Sequence, residues 1–351
     1  MAKPASEIAT MRSIAERAGV STMTVSRVLN KHPKVASATR ERVMRICEEV
    51  GYRPNPLLTA LVEQRRSMKH QERGTVLAYV IDQDYTIENS YYTSRLYNGA
   101  KDRARELGFK LEVFTVERTL EAERRWDTVL YNRGIPGLIL APMPLNILAR
   151  TYDFDWDRYA AVALDYGFEG VPLDRIMSDH YEAMYRVMTE CKTRMIHRVG
   201  LVLGNVFNHR VKHRVQAAYM AESAQDYIPP LELDTWDEAA FSAWFELNQP
   251  KTLVTSMLYL TEICRLLKKR GMRIPEDMGV INLNTSPPLT LPHYGSKRMT
   301  GMDPMAYEMG SASVDRLATQ LFHNQRGLTA LQTATLIPPQ WVEGDTLLNS
   351  H

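Results

Sequence analysis

Five side chains within nine positions could do the most specific chemistry in this sequence: Thr22, Met23, Ser26, Arg27 and Asn30. They interleave with Val25, Val28 and Leu29, which stand at i, i+3 and i+4, the spacing of one buried helix face. The five then share the opposite face. Hydroxyls, an amide and one guanidinium on so narrow a strip suit contact with base edges and phosphates in a DNA groove. What must position them lies just upstream. Ile14, Ala15 and Ala18 predict a short helix from about Met11, ended by Gly19, with Val20 plugging the corner and Ser21 capping the second helix. A glycine-turned helix pair of this kind is a helix-turn-helix. Any amphipathic helix pair with a glycine turn shares the pattern, so spacing alone leaves ordinary packing open beside DNA binding.

A third helix is predicted in "HPKVASATRERVMRICEEVGYRP", with Val43, Ile46, Cys47 and Val50 as its apolar stripe and Gly51 and Pro54 as its stop. Three short helices make a core too small to enclose a ligand, which favours a docking role. Charge agrees. Residues 1–73 hold 14 lysines and arginines against 7 acidic residues, a net +7, while the rest of the chain holds 29 against 34, a net −5. A basic front on an acidic body is expected where only the front meets a polyanion. A disordered basic tail would lack the apolar periodicity seen here.

The remaining sequence has another texture, and 351 residues suggest two or three domains. "TVLAYVI", "KLEVFTV", "GLILAP" and "AAVALD" read as strands separated by helical stretches such as "SRLYNGAKDRARELG" and "ERRWDTVLYN". The rhythm repeats: residues 179–195 as helix, "RVGLVLG" as strand, "RVKHRVQAAYMAESA" as one helix, "TLVTSM" as strand, "YLTEICRLLKKRG" as helix and "DMGVINLN" as strand. Such alternation implies parallel sheets covered on both faces, with ligands beyond the carboxyl ends of the strands. Two consecutive sets imply two α/β subdomains with a cleft between them.

Several classes are disfavoured. Cys47, Cys191 and Cys264 are sparse, odd in number and far apart, which fits neither a disulfide framework nor a zinc site. No window approaches the ~18 apolar residues of a membrane span, and the first residues hold no uninterrupted apolar run, so a soluble cytoplasmic protein is expected. G-x-S-x-G, H-E-x-x-H and the glycine-rich phosphate loops are absent. "SDHYE" (178–182) gathers Asp, His and Glu but reads as a polar helix start rather than a metal site. No enzyme, cofactor or metal is expected.

"AERAGVSTMTVSRVLN", followed by V-x-x-x-T-R-x-R-V and G-Y-x-P-N, resembles the DNA-binding headpiece of the lactose-repressor (LacI/GalR) family. "RMTGMDPMAYEMGSASVDRLATQL" and "ATLIPPQWVEGDT" resemble the family's segment after the last cleft strand and its closing strand, so the likeness covers nearly the whole chain. It implies a small all-α helix-turn-helix headpiece on an α/β periplasmic-binding-protein-like core of two doubly wound subdomains. The boundaries expected are 1–54 for the headpiece, 55–73 for hinge helix and linker, and 74–351 for the core. Within the core, one subdomain takes about 74–177 and 303–336 and the other about 178–302 and 337–351.

The resemblance also implies roles. Thr22, Met23 and Arg27 take the places of base readers. Arginine can donate twice to guanine O6 and N7, and methionine can pack on a thymine methyl. Ser21, Thr24, Ser26 and Asn30 match positions that bond phosphates or cap, and Thr39, Tyr52 and Asn55 match further backbone contacts. Ala36 stands where the family has a serine, at the cost of a cap or a phosphate bond that Ser37 could replace. Leu61 matches a hinge leucine that wedges into the minor groove, and Leu58 replaces a close-packing alanine. In the cleft the implied ligand contacts are Asp165, Arg210 or Arg214, Trp236 and Asn284, with Tyr85 near the mouth. Ser256 and Met257 replace the family's N-D pair, and "NLNT" (282–285) replaces its G-Y/F-D-D. That loss of acidic acceptors makes an ordinary neutral sugar a weaker fit and leaves open an atypical sugar derivative, a non-sugar or no effector. The function implied is a sequence-specific regulator, a repressor, bound as a homodimer to a near-palindromic double-stranded operator and controlled by a small molecule. The rivals are a cytoplasmic small-molecule binder with DNA binding secondary, and an α/β enzyme with a fortuitous front.

Overall fold

Helix α1 (Met11–Ala18) ends on Gly19, whose φ of +62° is the left-handed conformation that closes a helix without Cβ strain. Gly19 N–H donates to Glu16 O at 3.3 Å and Val20 N–H to Ala15 O at 3.0 Å, the paired bonds that satisfy the last carbonyls and turn the chain. Helix α2 (Thr22–Leu29) then starts under Ser21, whose Oγ accepts the Thr24 N–H at 3.1 Å. Helix α3 (Ser37–Glu49) completes the unit. Ile14, Ala15, Ala18, Val25, Val28, Val43 and Cys47 are buried together, with Val20, Leu29, Ile46 and Val50 half-buried around them. The apolar spacing read from the sequence is therefore the core. At the start of α3 the N-cap residue is Ala36, and no side-chain cap bond forms there.

The structure, a computed structural model, describes residues 11–29, 35–50, 74–83, 87, 90–116, 120–142, 155–166, 171–285 and 289–348. The chain divides into two compact units, one up to Glu72 and one from Arg73. The second contains two six-stranded sheets among the described residues. The first lobe is built on β1 (Val76–Asp82), β2 (Lys110–Val116), β3 (Gly137–Leu140), β4 (Ala160–Leu164), β5 (Asp174–Ser178) and β11 (Ala334–Ile337), in the order β11-β5-β4-β3-β1-β2, all parallel. The second lobe uses β6 (Val199–Gly204), β7 (Leu231–Leu233), β8 (Thr252–Thr255), β9 (Gly279–Asn282), β10 (Thr300–Asp303) and β12 (Gln340–Val342), in the order β12-β10-β9-β8-β6-β7. The chain passes between the lobes after Ser178, after Asp303 and at Pro338–Pro339.

Both faces of each sheet are covered, as parallel sheets require. In β1, Leu77, Tyr79 and Ile81 join one core and Ala78 and Val80 the other, the alternation that a strand imposes. Helices α4 (Tyr91–Glu106) and α11 (Ala306–Phe322) pack on the Leu77 side. Their backbones approach closely at two glycines: a Cβ on Gly99 would lie 1.9 Å from Tyr307 O, and one on Gly310 2.0 Å from Leu96 O. Helix α5 (Leu120–Asn132) contributes Trp126 and Leu130 to the opposite core. In the second lobe α6 (His180–Thr193) and α8 (Arg214–Ser223) cover one face, and α9 (Glu238–Asn248) and α10 (Leu260–Lys269) the other.

Three sequence expectations are corrected. "RVKHRVQAAYMAESA" is not one helix. A short α7 (Asn205–Arg210) stops, Lys212 and His213 take φ of +54° and +55°, and α8 starts at Arg214. Two successive left-handed residues cannot belong to a right-handed helix. "ATLIPPQWVEGDT" is two strands rather than one, because the diproline cannot donate ladder hydrogen bonds. Strand β11 joins the first sheet and β12 the second, antiparallel to β10, so the second sheet is not wholly parallel. Three strands went unread, "DRIMS" (β5), "LEL" (β7) and "TGMD" (β10). The first is hidden by its charges. Asp174 is 1% exposed and is satisfied by Arg316 at 2.6 Å, Gln320 Nε2 at 2.9 Å and Thr333 Oγ1 at 2.6 Å. Burial alone would raise its carboxyl, but the bonds from Thr333, Arg316 and Gln320 outweigh it and hold the group below its ordinary value.

Candidate functional site

Two sites were read from the sequence, one in each unit. In the first, burying Val25 and Val28 turns Thr22, Met23 and Arg27 outward. Thr22 and Arg27 are exposed and Met23 is 59% exposed, unusual for an apolar side chain of its size and suited to packing against a partner. Thr24 is half-buried, and its Oγ1 lies 2.9 Å from Ser21 Oγ, so this pair is occupied in starting the helix. Thr39 is half-buried in the first turn of α3 and donates its N–H to Ala36 O at 3.0 Å. Ser26 lies on the helix between Val25 and Arg27. Asn30, Tyr52, Asn55 and Leu61 lie outside the described residues, as does the whole hinge segment 55–73.

The second site is at the carboxyl ends of the strands in the body. Asp165 follows β4, is buried, and holds a φ of +56°, an uncommon conformation that aspartate tolerates better than most residues. Tyr92, in the first turn of α4, donates its hydroxyl hydrogen to Asp165 Oδ2 at 3.1 Å. His180, the first residue of α6, places Nε2 4.0 Å from Asp165 Oδ1. Its ring packs at 5.7 Å from Tyr166 and edge-on at 5.6 Å from Phe207. Burial lowers the His180 pKa, against the upward pull of Asp165 and Asp179, so the ring is held toward its neutral form. Burial raises the Tyr166 phenol to about 12; the positive charge of Arg214 opposes this. Asp165 and Arg214 therefore both act on the Tyr166–His180 pair.

The other expected contacts are less convergent. Arg210 closes α7 and is half-buried. Trp236 packs at 5.4 Å from Phe241 and 5.7 Å from Tyr259, as part of the second lobe's core margin. Its indole N–H is buried without a hydrogen-bond partner among the described residues. Asn284 is half-buried, and its backbone is tied to Asn282 by bonds of 2.9 and 3.3 Å. Tyr85 lies outside the described residues. Sequence reasoning missed Tyr166, His180 and Phe207 as site residues. "SDHYE" did carry a signal: Asp179 caps α6 by accepting the Glu182 N–H at 3.1 Å, and this cap aims His180 at Asp165. Among the described residues no group of three or more His, Cys, Asp or Glu could hold a metal ion, and no helix is long and apolar enough to cross a membrane.

Two family models match parts of the chain. Residues 10–55 match the family model of bacterial regulatory proteins, lacI family, and residues 190–347 match that of the periplasmic binding protein-like domain. The HTH-type transcriptional repressor PurR of Aliivibrio salmonicida (strain LFI1238) is 24% identical over 310 residues, covering 83% of this chain and 89% of that protein. The HTH-type transcriptional regulator DegA of Bacillus subtilis (strain 168) is 21% identical over 345 residues, covering 95% and 96%. Among solved structures, the Lac repressor dimer bound to operator and the anti-inducer ONPF matches with a TM-score of 0.59 at 23% identity, over 97% of this chain and 100% of that one. The complex of the transcriptional regulator CelR with cellobiose matches with a TM-score of 0.58 at 19% identity, over 96% and 99%. Those two structures share the fold. With a lacI-family helix-turn-helix in front and a periplasmic-binding-protein-like α/β body behind, this chain belongs to the LacI/GalR family of transcriptional regulators.

Proposed function

We propose that the chain is a repressor that binds a near-palindromic operator as a homodimer and is controlled by a small molecule held between the lobes of its body. One observation carries the reading. The α2 strip exposes Thr22, Met23 and Arg27 while Val25 and Val28 are buried behind it. One such helix spans too few base pairs to be selective alone, and a two-fold pair reads a two-fold site. In this reading Thr22, Met23 and Arg27 meet base edges, and Ser21, Thr24, Ser26, Asn30, Thr39, Tyr52 and Asn55 fix the helix on the sugar-phosphate backbone or cap it. Leu61 wedges into the minor groove. The relatives support the direction: those named PurR are repressors, and the Lac repressor is a dimer on its operator. The work is regulatory rather than enzymatic and takes place in the cytoplasm.

Control follows from linkage. A ligand that binds one arrangement of the lobes better than the other shifts their equilibrium and with it the operator affinity. Asp165 and Arg214 are the contacts best placed for it, with Arg210, Trp236, Asn284 and Tyr85 as further lining, and a sugar or sugar derivative is one class of ligand, as cellobiose is for CelR. Selection from random-sequence duplexes with the full chain tests the proposal. Enrichment of a near-palindrome, with affinity falling steeply as salt rises, supports it. Recovery of no preferred sequence by a folded chain refutes it in favour of a ligand-binding protein that uses only its body.

A further inference from the structure

Beside the β5–β11 edge of the first lobe lies a groove of about 700 Å³, closed on its far side by the turn between α7 and α8 of the second lobe. The first lobe contributes Arg175, Met177 and Ala334, and the second contributes Lys212 and Arg214. Tyr166 lines it as well. Three cations therefore border one groove among the described residues, and Arg175 Nη1 also donates to Asp165 O at 3.4 Å. The carboxylates that act on Tyr166 are Asp165, which accepts from Tyr92 on Oδ2 while its buried Oδ1 has no hydrogen-bond partner among the described residues, and Asp179, which caps α6. Tyr166 is only 4% exposed, yet its hydroxyl is buried without a hydrogen-bond partner among the described residues. An unsatisfied buried donor is costly, and a ligand oxygen is what would satisfy it.

We propose that this groove binds a small oxyanion, the phosphate or carboxylate group of a metabolite, held by Arg175 of one lobe, Lys212 and Arg214 of the other, and the Tyr166 hydroxyl. Arginine forks and a phenol donor are the groups that recognise such oxygens by charge-assisted hydrogen bonds. Burial keeps the phenol protonated, with its pKa near 12, so it can donate. The left-handed residues Lys212 and His213 form the tight turn that brings Lys212 and Arg214 to the same rim. Because its ligands come from both lobes, the anion also bridges them and favours their closed approach. Its effect on operator affinity rests on the regulatory reading above; its binding does not.

Phosphorus-31 line broadening of inorganic phosphate, titrated with the full chain at constant ionic strength, tests the proposal. Saturable broadening is expected for the wild type, with affinity about tenfold lower in Arg214→Gln and also reduced in Tyr166→Phe and Lys212→Gln. Lys212 is exposed, so Lys212→Gln keeps the test valid if a buried-site variant fails to fold. Displacement by sulfate identifies a tetrahedral site, and displacement by acetate a carboxylate site. Absence of broadening, or equal broadening in folded wild type and every variant, overturns the proposal; the latter assigns the phosphate to the basic front. Duplex selection is scored separately, so a selective regulator with no anion site, and an anion binder with no preferred duplex, are distinguishable outcomes.

Discussion

Ser21 Oγ accepts the backbone N–H of Thr24 at 3.1 Å, and this bond sets where α2 begins. It satisfies one of the free N–H groups of the first turn and fixes the phase of Thr22, Met23 and Arg27. Ser21→Ala is expected to cost about 1 kcal/mol of headpiece stability. Ser21→Asn, which can still cap, is expected to restore most of it. Amide exchange along α2 reads the difference. If Ala and Asn variants exchange alike, the cap is not what holds the helix start.

The contact between α4 and α11 makes a second demand on small residues. Gly310 faces Leu96 O so closely that a methyl group must push the helices apart. Gly310→Ala is expected to destabilise the body by about 1–3 kcal/mol, seen as a lower denaturant midpoint. Gly271, with no atom within 4 Å of an added Cβ but a φ of +73°, separates the two mechanisms. Its alanine variant suffers only backbone strain, with no displacement of neighbours. An unchanged midpoint in Gly310→Ala means the helices do not pack at this distance.

Burial lowers the His180 pKa below the ordinary 6.5, and Asp165 and Asp179 only partly offset it. The unfolded chain therefore takes up a proton at a higher pH than the folded body does. This contribution to stability is complete above the unfolded value and is lost as pH falls through it. The unfolding midpoint of the body is expected to drop between about pH 7 and pH 5, and His180→Gln to flatten that drop. The same slope in both proteins rules out a buried neutral imidazole at this position.

Leu61 belongs to the hinge role inferred from family resemblance. Leu61→Ser is expected to weaken binding to the selected operator more than binding to random duplex, because only the specific complex gains from an inserted apolar wedge. Parallel gel shifts on the two duplexes measure this. Equal losses remove the wedge.

Much of this was legible in the sequence because local spacing and tertiary burial agree. Ile14, Val25, Val28 and Val43 were marked by helical period alone, and β1, β6, β8 and β9 by continuous apolar runs. Strand β5 was illegible because Asp174 and Arg175 interrupt its apolar run, and Asp174 is compensated by Arg316, Gln320 and Thr333, more than 140 residues away in sequence. The break between α7 and α8 was missed because Lys212 and His213 announce no turn as glycine would. In the body, resemblance singled out Asp165 and Arg214. Tyr166 and His180 were not singled out as contacts, since their neighbourhood exists only where strand ends and helix starts from distant parts of the chain converge.

Arg27 is the residue on which the regulatory reading turns, exposed on α2 with the buried Val28 beside it in sequence. Duplex selection repeated with Arg27→Ala probes it most directly. The expected result is loss of preference at one symmetry-related pair of operator positions, at a cost of about 1–3 kcal/mol per contact, with the rest of the preferred site unchanged. A variant that selects the same sequence with the same affinity as the wild type would contradict the assignment of α2 as the reading helix.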